Sequence, residues 1–310
     1  GAIIFASWLG LLLAGYFSDY FGDELGGPSG PYWIGWIAVG SCTFLGLAED
    51  LRNNYLNPRF RLYAQLGIFA VTIGVWPLLI PTDFGVPILD GLMRLPLIGW
   101  LLSVIFCVGF VNSINMADGA NGLIAGVITI AFSLFYANTG QFVYAAMMTA
   151  CAVFTIFNVI SGRLFLGDAG AYGLGSSIVI SSLYLFQENI FSAAFLACLF
   201  SYPCIDFMMT LARRLRAGRS IYLPDNDHLH NRIHYHFQRW LPSKTLANSM
   251  TGGLIVASSS GVTLLGYIFQ WWSVTSNLWI WLFSLQCVSY GVVFYLTRFG
   301  RANTQYVYRT

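Results

Sequence analysis

The sequence predicts an all-α fold: one bundle of about ten membrane helices spanning residues 1–310. Three observations predict it. Apolar residues make up 57% of the chain and charged residues only 9%, against roughly 25% charged in a soluble domain. The apolar residues fall in stretches close to the ~20 that an α-helix needs to cross a bilayer. The basic residues also alternate with the gaps between those stretches. Arg52, Arg59 and Arg61 share one gap and Arg163 lies in another. Arg213, Arg214, Arg216, Arg219, Arg232, Arg239 and Lys244 fill the longest, and Arg298, Arg301 and Arg309 form the tail. Only Arg94 lies in a gap of the opposite parity. Basic loops stay on the cytoplasmic side, so the pattern fixes an orientation with both termini inside.

The expected spans, in order, are Ala2 to Phe17, Tyr32 to Ala48, Phe60 to Ile80, Leu95 to Val111 and Gly122 to Tyr136. Phe142 to Phe157, Tyr172 to Phe186, Ile190 to Leu211, Ala247 to Gln270 and Asn277 to Leu296 follow. Each is read from the apolar run, with tryptophans such as Trp33, Trp76, Trp100 and Trp271 near the ends as interfacial anchors. Gaps on the outer side are short or acidic, with Asp19, Asp23, Glu24, Asp83, Asp90 and Glu188. The stretch from Asp83 to Arg94 reads as an ordinary external loop. Six cysteines at irregular spacing inside apolar runs form no Cys-x-x-Cys pair and read as packing residues. The apolar opening after Gly1 lacks a charged n-region and a cleavage site, so it is not a signal peptide. It reads as the lip of a membrane helix, with something upstream missing.

Chemistry-bearing residues concentrate in four inner gaps. The first, Gly46-Leu47-Ala48-Glu49-Asp50, puts adjacent acids at a helix C-terminus, where they oppose the macrodipole. A metal, Arg52, Arg61 or a substrate-bound ion should compensate them. The second, Asn112 to Gly122, crowds Asn112, Asn115, Asp118 and Asn121 around glycines. A turn would explain Asp-Gly and Asn-Gly, but oxygen ligands beside exposed backbone amides also suit a phosphate and metal site. The third runs from Asn158 through Arg163 to Gly167-Asp168-Ala169-Gly170. Asp168 either caps the next helix or binds a hard cation. The fourth is a cytoplasmic Arg/His loop over residues 212–246, whose four histidines (His228, His230, His234, His236) lie within nine residues. Its arginines favour an anion pocket over a transition-metal site; a plain solvated loop is the third alternative. Asp206, an acid inside an apolar run, reads as a structural partner for the arginine cluster rather than a proton relay. One reaction would use all four gaps: phosphoryl transfer at the membrane face, with Asp50, Asp118 and Asp168 around Mg²⁺. The competing class is a transporter or pH-gated channel, against which the polar residues sit in loops rather than at mid-membrane.

These motifs resemble the polyprenyl-phosphate N-acetylhexosamine-1-phosphate transferases of glycosyltransferase family 4. The acid pair Glu49-Asp50, the Asn-x-x-Asn-x-x-Asp-Gly-x-x-Gly-Leu segment from Asn112 to Leu123, the Phe-x-Gly-Asp-x-Gly segment from Phe165 to Gly170 and the Pro-Asp-x-x-His-x-His segment from Pro224 to His230 carry the likeness in order and spacing. The branch that starts O-antigen or similar glycans, close to undecaprenyl-phosphate GlcNAc-1-phosphate transferase, looks nearer than the peptidoglycan-precursor branch. The resemblance implies that a UDP-N-acetylhexosamine donates sugar 1-phosphate to undecaprenyl phosphate and releases UMP, in the bacterial inner membrane with the site facing the cytoplasm. It implies Glu49, Asp50 and Asp118 as catalytic residues, and Asp168 with Asp118 as ligands of Mg²⁺, for which Mn²⁺ could substitute. Arg61, Asn112, Asn115, Asn121, Asn158, Arg219, His228 and His230 would contact substrates. Membrane lipids are further partners, nucleic acid is not, and a homodimer is compatible with the family. Two departures stand out: Glu49 replaces the usual Asp, and Asn121 replaces a second acid, so an inactive member of the family is also a reading. The family's first helix, and a loop ending in Gly-Gly, would precede Gly1.

Overall fold

The computed structural model describes residues 32–51, 56–218 and 226–300, without the side chains of residues 299 and 300. The expected span from Ala2 to Phe17, and Arg52, Arg219, Pro224 and Asp225, lie outside the described residues. Those described are helical throughout, without strands. In chain order the helices are α1 (Tyr32–Leu51), α2 (Pro58–Val75), α3 (Pro87–Met93), α4 (Pro96–Ala117), α5 (Leu123–Thr139), α6 (Phe142–Ser161) and α7 (Gly167–Gln187). Then come α8 (Ala193–Leu199), α9 (Ser201–Arg216), α10 (Leu229–Phe237), α11 (Lys244–Val256), α12 (Val262–Ile268) and α13 (Trp279–Leu296).

Among the described residues, six helices are long and apolar enough to cross a membrane, or seven if α8 and α9, bent by 82° at their junction, count as one span. The sequence expectation was about ten. The 17-residue α5 falls short by length, and α2 is diluted by Arg59 and Arg61 in its first turn. Boundaries also moved. The supposed external loop contains α3, started by Pro87 and steadied by Asp90, whose Oδ1 accepts the Phe84 N–H at 2.7 Å. The Arg/His loop is largely helical: α9 runs on to Arg216, and His230, His234 and His236 belong to α10. All six cysteines are free, and four are buried.

Helix α7 is the axis of the bundle, with almost every residue buried. It packs along α1 and α4, and small residues set how closely. A methyl on Gly46 would fall 2.3 Å from the Asp168 carbonyl oxygen, and one on Gly173 would fall 2.4 Å from Thr43 Oγ1. Glycine at both positions therefore lets the two backbones touch, as small residues do in membrane helix pairs. This contact brings the C-terminus of α1 onto the N-terminus of α7, and the acids of both follow.

Candidate functional site

Asp50 is the penultimate residue of α1 and Asp168 is the second residue of α7. The first N–H groups of a helix lack partners inside it and carry positive partial charge. Asp50 supplies the missing partners across the helix contact: its Oδ1 accepts from the Asp168 N–H at 2.9 Å and its Oδ2 from the Ala169 N–H at 3.0 Å. The acid that opposes the dipole of its own helix is thus compensated by the dipole of another. The sequence reading allowed Asp168 itself as the cap. The structure corrects this: no side chain caps α7 locally, Asp50 does so from a distant segment, and the Asp168 carboxylate is left for other partners. Gly167 makes room for this, with φ of +68° and a position where a Cβ would lie 2.5 Å from Asp50 Oδ2.

Those other partners come from α2 and α4. Arg61 Nη1 donates to Asp168 Oδ2 at 2.8 Å and lies 3.8 Å from Glu49 Oε1. Glu49 is buried, and its Oε2 accepts the Leu56 N–H at 2.9 Å. The start of α2 is fixed by Asn57, whose side chain accepts the Arg59 N–H at 2.9 Å, and by Pro58 at the first turn. Asn115, in the last turn of α4, donates to Asp168 Oδ1 at 2.8 Å. Asn112, one turn earlier, donates to Gln65 Oε1 at 2.6 Å. The Gln65–Asn112 bond holds α2 and α4 in the register that lets Arg61 and Asn115 grip one carboxylate. Asp118 follows as the C-cap of α4. Desolvation pushes its carboxyl up to about 7, and the negative charge of Asp168 adds to the rise.

The histidine segment closes over this corner. His228 Nδ1 lies 2.5 Å from Asp206 Oδ2, while Asp206 Oδ1 accepts from the Leu229 N–H at 3.1 Å and from the Tyr290 hydroxyl at 2.6 Å. His230 meets the Tyr202 hydroxyl through Nδ1 at 2.9 Å and through its backbone N–H at 3.2 Å. The two imidazoles stack with planes 4° apart and centroids 5.3 Å apart. His230 Nε2 abuts the Asp118–Gly119 turn, since a methyl on Gly119 would fall 2.0 Å from it. Burial holds the His230 imidazole down to about 4, hence neutral.

Two readings change here. Asp206 holds His228 rather than the arginine cluster. Arg232, expected to supply charge for phosphates, is buried; it donates to both Asp227 oxygens at 2.8 and 2.9 Å and to the Phe294 carbonyl at 2.6 Å, and its guanidinium lies 3.6 Å from the centre of the Phe294 ring. It fastens α10 to α13.

Asn158 and Asn121 are buried and fully engaged away from the carboxylates. Asn158 accepts the Gly122 N–H and donates to the Leu164 carbonyl, both at 2.5 Å. Asn121 donates to Ser249 Oγ and accepts from Asn248 Nδ2, both at 3.2 Å. Both are therefore placed as braces of the loops that carry Asp118 and Asp168. Sequence reasoning missed Tyr202, Tyr290 and Ser249, which look like ordinary residues of apolar helices. Asp206 alone had a signal, as a lone acid in such a helix. Among the described residues, no group of three or more His, Cys, Asp or Glu is arranged to hold one ion. A cavity of about 190 Å³ lies elsewhere, lined by Tyr32, Trp36, Tyr144, Ser177, Ser181 and Tyr184 among others, and contains no carboxylate.

The residues that build this corner fall within a longer recognisable stretch. The profile described as "Glycosyl transferase family 4" matches residues 32–186, half of the chain. The chain belongs to glycosyl transferase family 4. It is 29% identical over 192 residues to the probable undecaprenyl-phosphate N-acetylglucosaminyl 1-phosphate transferase of Bacillus subtilis, covering 57% of this chain and 53% of that protein. It is 27% identical over 290 residues to a phospho-N-acetylmuramoyl-pentapeptide-transferase of Synechococcus, covering 86% and 77%. The undecaprenyl-phosphate alpha-N-acetylglucosaminyl 1-phosphate transferase of Escherichia coli K12 is 27% identical over 208 residues, covering 63% and 56%. The match thus spans about half the length of the first and third of these family 4 relatives. Identity is nearly equal for the two branches, so the expected preference for the GlcNAc branch over the peptidoglycan branch is not resolved by these comparisons.

Proposed function

We propose that this chain transfers an N-acetylhexosamine 1-phosphate from a UDP-sugar to undecaprenyl phosphate at the cytoplasmic face of the bacterial inner membrane, starting a lipid-linked glycan such as an O-antigen. One observation carries the reading. Asp168 is gripped by Arg61 and Asn115, its helix is capped by Asp50, and Glu49 lies against the same guanidinium, so three distant segments, α1, α2 and α4, converge on the start of α7. A structural ion pair needs only two.

In the reaction, an acceptor phosphate oxygen attacks the sugar-bearing phosphorus of the donor. The bond from that phosphorus to the bridging oxygen breaks, and UMP leaves with the electron pair. Two anions must approach each other, so cationic groups and hydrogen-bond donors supply most of the catalysis. Arg61 orients and neutralises one phosphate, while His228 and His230 face the donor diphosphate. Glu49 and Asp50 fix Arg61 and the N-terminus of α7. The chemistry of the donor set fits Mg²⁺, which needs only one or two carboxylates beside substrate phosphates. Asp118 and Asp168 are hard oxygen donors, the charge of Asp168 adds to the cost of ionising Asp118, and they would hold the ion. When bound, Mg²⁺ would offset phosphate charge.

The test is purified protein in detergent with radiolabelled undecaprenyl phosphate, Mg²⁺ or Mn²⁺, and a panel of UDP-N-acetylhexosamines. The expected result is a lipid-linked sugar diphosphate with equimolar UMP from at least one donor. No product from any donor with either metal would refute the reading.

A further inference from the structure

The cavity of about 190 Å³ lies toward the end of the bundle opposite the acid corner. Ser177, Ser181 and Tyr184 line it from α7, and they follow Asp168 by 9 to 16 residues. At 1.5 Å per residue that is about 14 to 24 Å along the helix. Trp36, in the second turn of α1, and Gln141, just before α6, close it from other sides. The reaction scheme gives this end of the molecule no task.

Ser177 is the informative residue. Its relative exposure is 7%, it lines the cavity, and its hydroxyl has no hydrogen-bond partner among the described residues. A serine inside a helix commonly bonds back to a carbonyl one turn earlier. Its neighbour Ser176 does so, donating to the Tyr172 carbonyl at 2.7 Å. The Ser177 hydroxyl is left for whatever fills the cavity. Gln141 stands at the N-cap of α6 but makes no side-chain capping bond, so its amide also remains for an occupant.

The lining decides what kind of occupant fits. Among the described residues none of the lining side chains is charged, so a phosphate, a nucleotide or a metal ion would meet nothing that offsets its desolvation. Eight of the fourteen lining residues carry a hydrogen-bonding side chain, so a bare hydrocarbon chain would strip water from them and replace nothing. Aromatic rings build one wall. Trp76 packs 5.1 Å from Tyr32 and 5.8 Å from Tyr184 between ring centroids, and the two tyrosine hydroxyls meet at 3.2 Å. Gly35 admits the Trp76 indole, since a Cβ there would lie 3.3 Å from it. Electron-rich aromatic faces attract the C–H side of a sugar ring, while hydroxyls and an amide match its O–H groups. The volume equals about six waters at ~30 Å³ each, which is the size of one such ring.

We propose that this cavity binds one uncharged sugar ring, free or as the head group of a glycolipid. The site is separate from the acid corner, and its test does not depend on the transferase reading.

The experiment uses the full chain in a zwitterionic detergent, which carries no sugar. The probe is octyl glucoside, titrated below the concentration at which it forms micelles, with binding read by tryptophan fluorescence and by thermal melting. The octyl ether of tetraethylene glycol has the same chain without the ring, and methyl glucoside has the ring without the chain. The expected result is saturable binding of octyl glucoside that the ether does not compete away. Equal affinity for methyl glucoside would support a free sugar, and binding of the octyl form alone would support a glycolipid head group. Ser177→Ala and Gln141→Leu should each weaken binding roughly 3- to 10-fold, the loss of one hydrogen bond. Gln141 is only half-buried, so its variant tests the proposal even where Ser177→Ala fails to fold. Equal binding of the ether would show a hydrocarbon pocket and overturn the proposal. Saturation by neither glucoside would show a cavity that holds only water, and affinity unchanged in both variants would place the sugar elsewhere; either result would overturn it as well.

Discussion

Gly167→Ala adds a single methyl and removes no polar group, yet it should disable the site. The position has φ of +68°, where an alanine costs about 1–2 kcal/mol. Its Cβ would lie 2.5 Å from Asp50 Oδ2 and 3.0 Å from Asp50 Cγ. Ordinary contact begins near 3.4 Å, so the Asp50 carboxylate must swing away by close to 0.9 Å, the difference of those two distances. Its bonds to the Asp168 and Ala169 N–H groups, now 2.9 and 3.0 Å, would then lengthen toward 3.9 Å and fail. Asp50 is exposed, so water replaces part of what is lost, and about 1 kcal/mol is a fair estimate for the pair of bonds. The sum is about 2–3 kcal/mol, which predicts a melting temperature lower by several degrees. Activity should suffer more than stability. With the α7 N-terminus uncapped, Asp168 shifts relative to Arg61 and Asn115, and a displacement near 1 Å at a catalytic centre can cost on the order of 100-fold. The assay is UMP release by purified Gly167→Ala, with thermal melting in the same detergent. Wild-type kcat together with wild-type melting would refute the argument that Asp50 acts through the start of α7.

Three further outcomes follow from the same geometry. Asp168→Asn should abolish metal-dependent UMP release with little loss of folding, because the isosteric amide keeps one of the two bonds, to Asn115 or to Arg61, and the site is partly exposed; full activity in the purified variant would exclude a metal role. Gly119→Ala should raise the KM for the UDP-sugar about tenfold or more, since its methyl would land 2.0 Å from His230 Nε2, and an unchanged KM would show that the histidines do not close on that turn. His230 has its basicity lowered from 6.5 to about 4, so the unfolded chain takes up its proton first as pH falls. The stability it contributes is present above pH 6.5 and is lost between 6.5 and 4, about 2 kcal/mol between pH 7 and 5. His230→Gln should flatten that part of the melting profile, and an unaltered slope would show that the ring is not held neutral.

Much of this site could be read from the chain. Asp168, Asp50 and Arg61 announced themselves because an acid or a cation next to an apolar run is costly unless it has a task. Asn115 stood out in a segment too polar for a turn. The histidine cluster was visible, but what holds it was not, because Tyr202, Asp206 and Tyr290 lie 22 to 84 positions away from their partners. Asn121 and Asn158 show the limit from the other side. Both sit in motifs rich in candidate ligands, yet Asn121 is engaged by Ser249 and Asn248 of α11, and Asn158 by the Gly122 N–H and the Leu164 carbonyl.

The sequence by itself determined the class of molecule, the helical segments and the set of loops where the chemistry lies, because hydropathy, charge alternation and helix periodicity are local properties. It did not determine how many helices cross a membrane, since the bend between α8 and α9 and the length of α5 are set by packing. Only the tertiary structure decided what each polar group does. Gly46 and Gly173 bring two backbones into contact, and that contact gives Asp50 to the N-terminus of α7 and leaves Asp168 to Arg61 and Asn115. A carboxylate in a low-dielectric interior takes whichever donors packing delivers to it, and that delivery depends on distances between segments that no local pattern encodes.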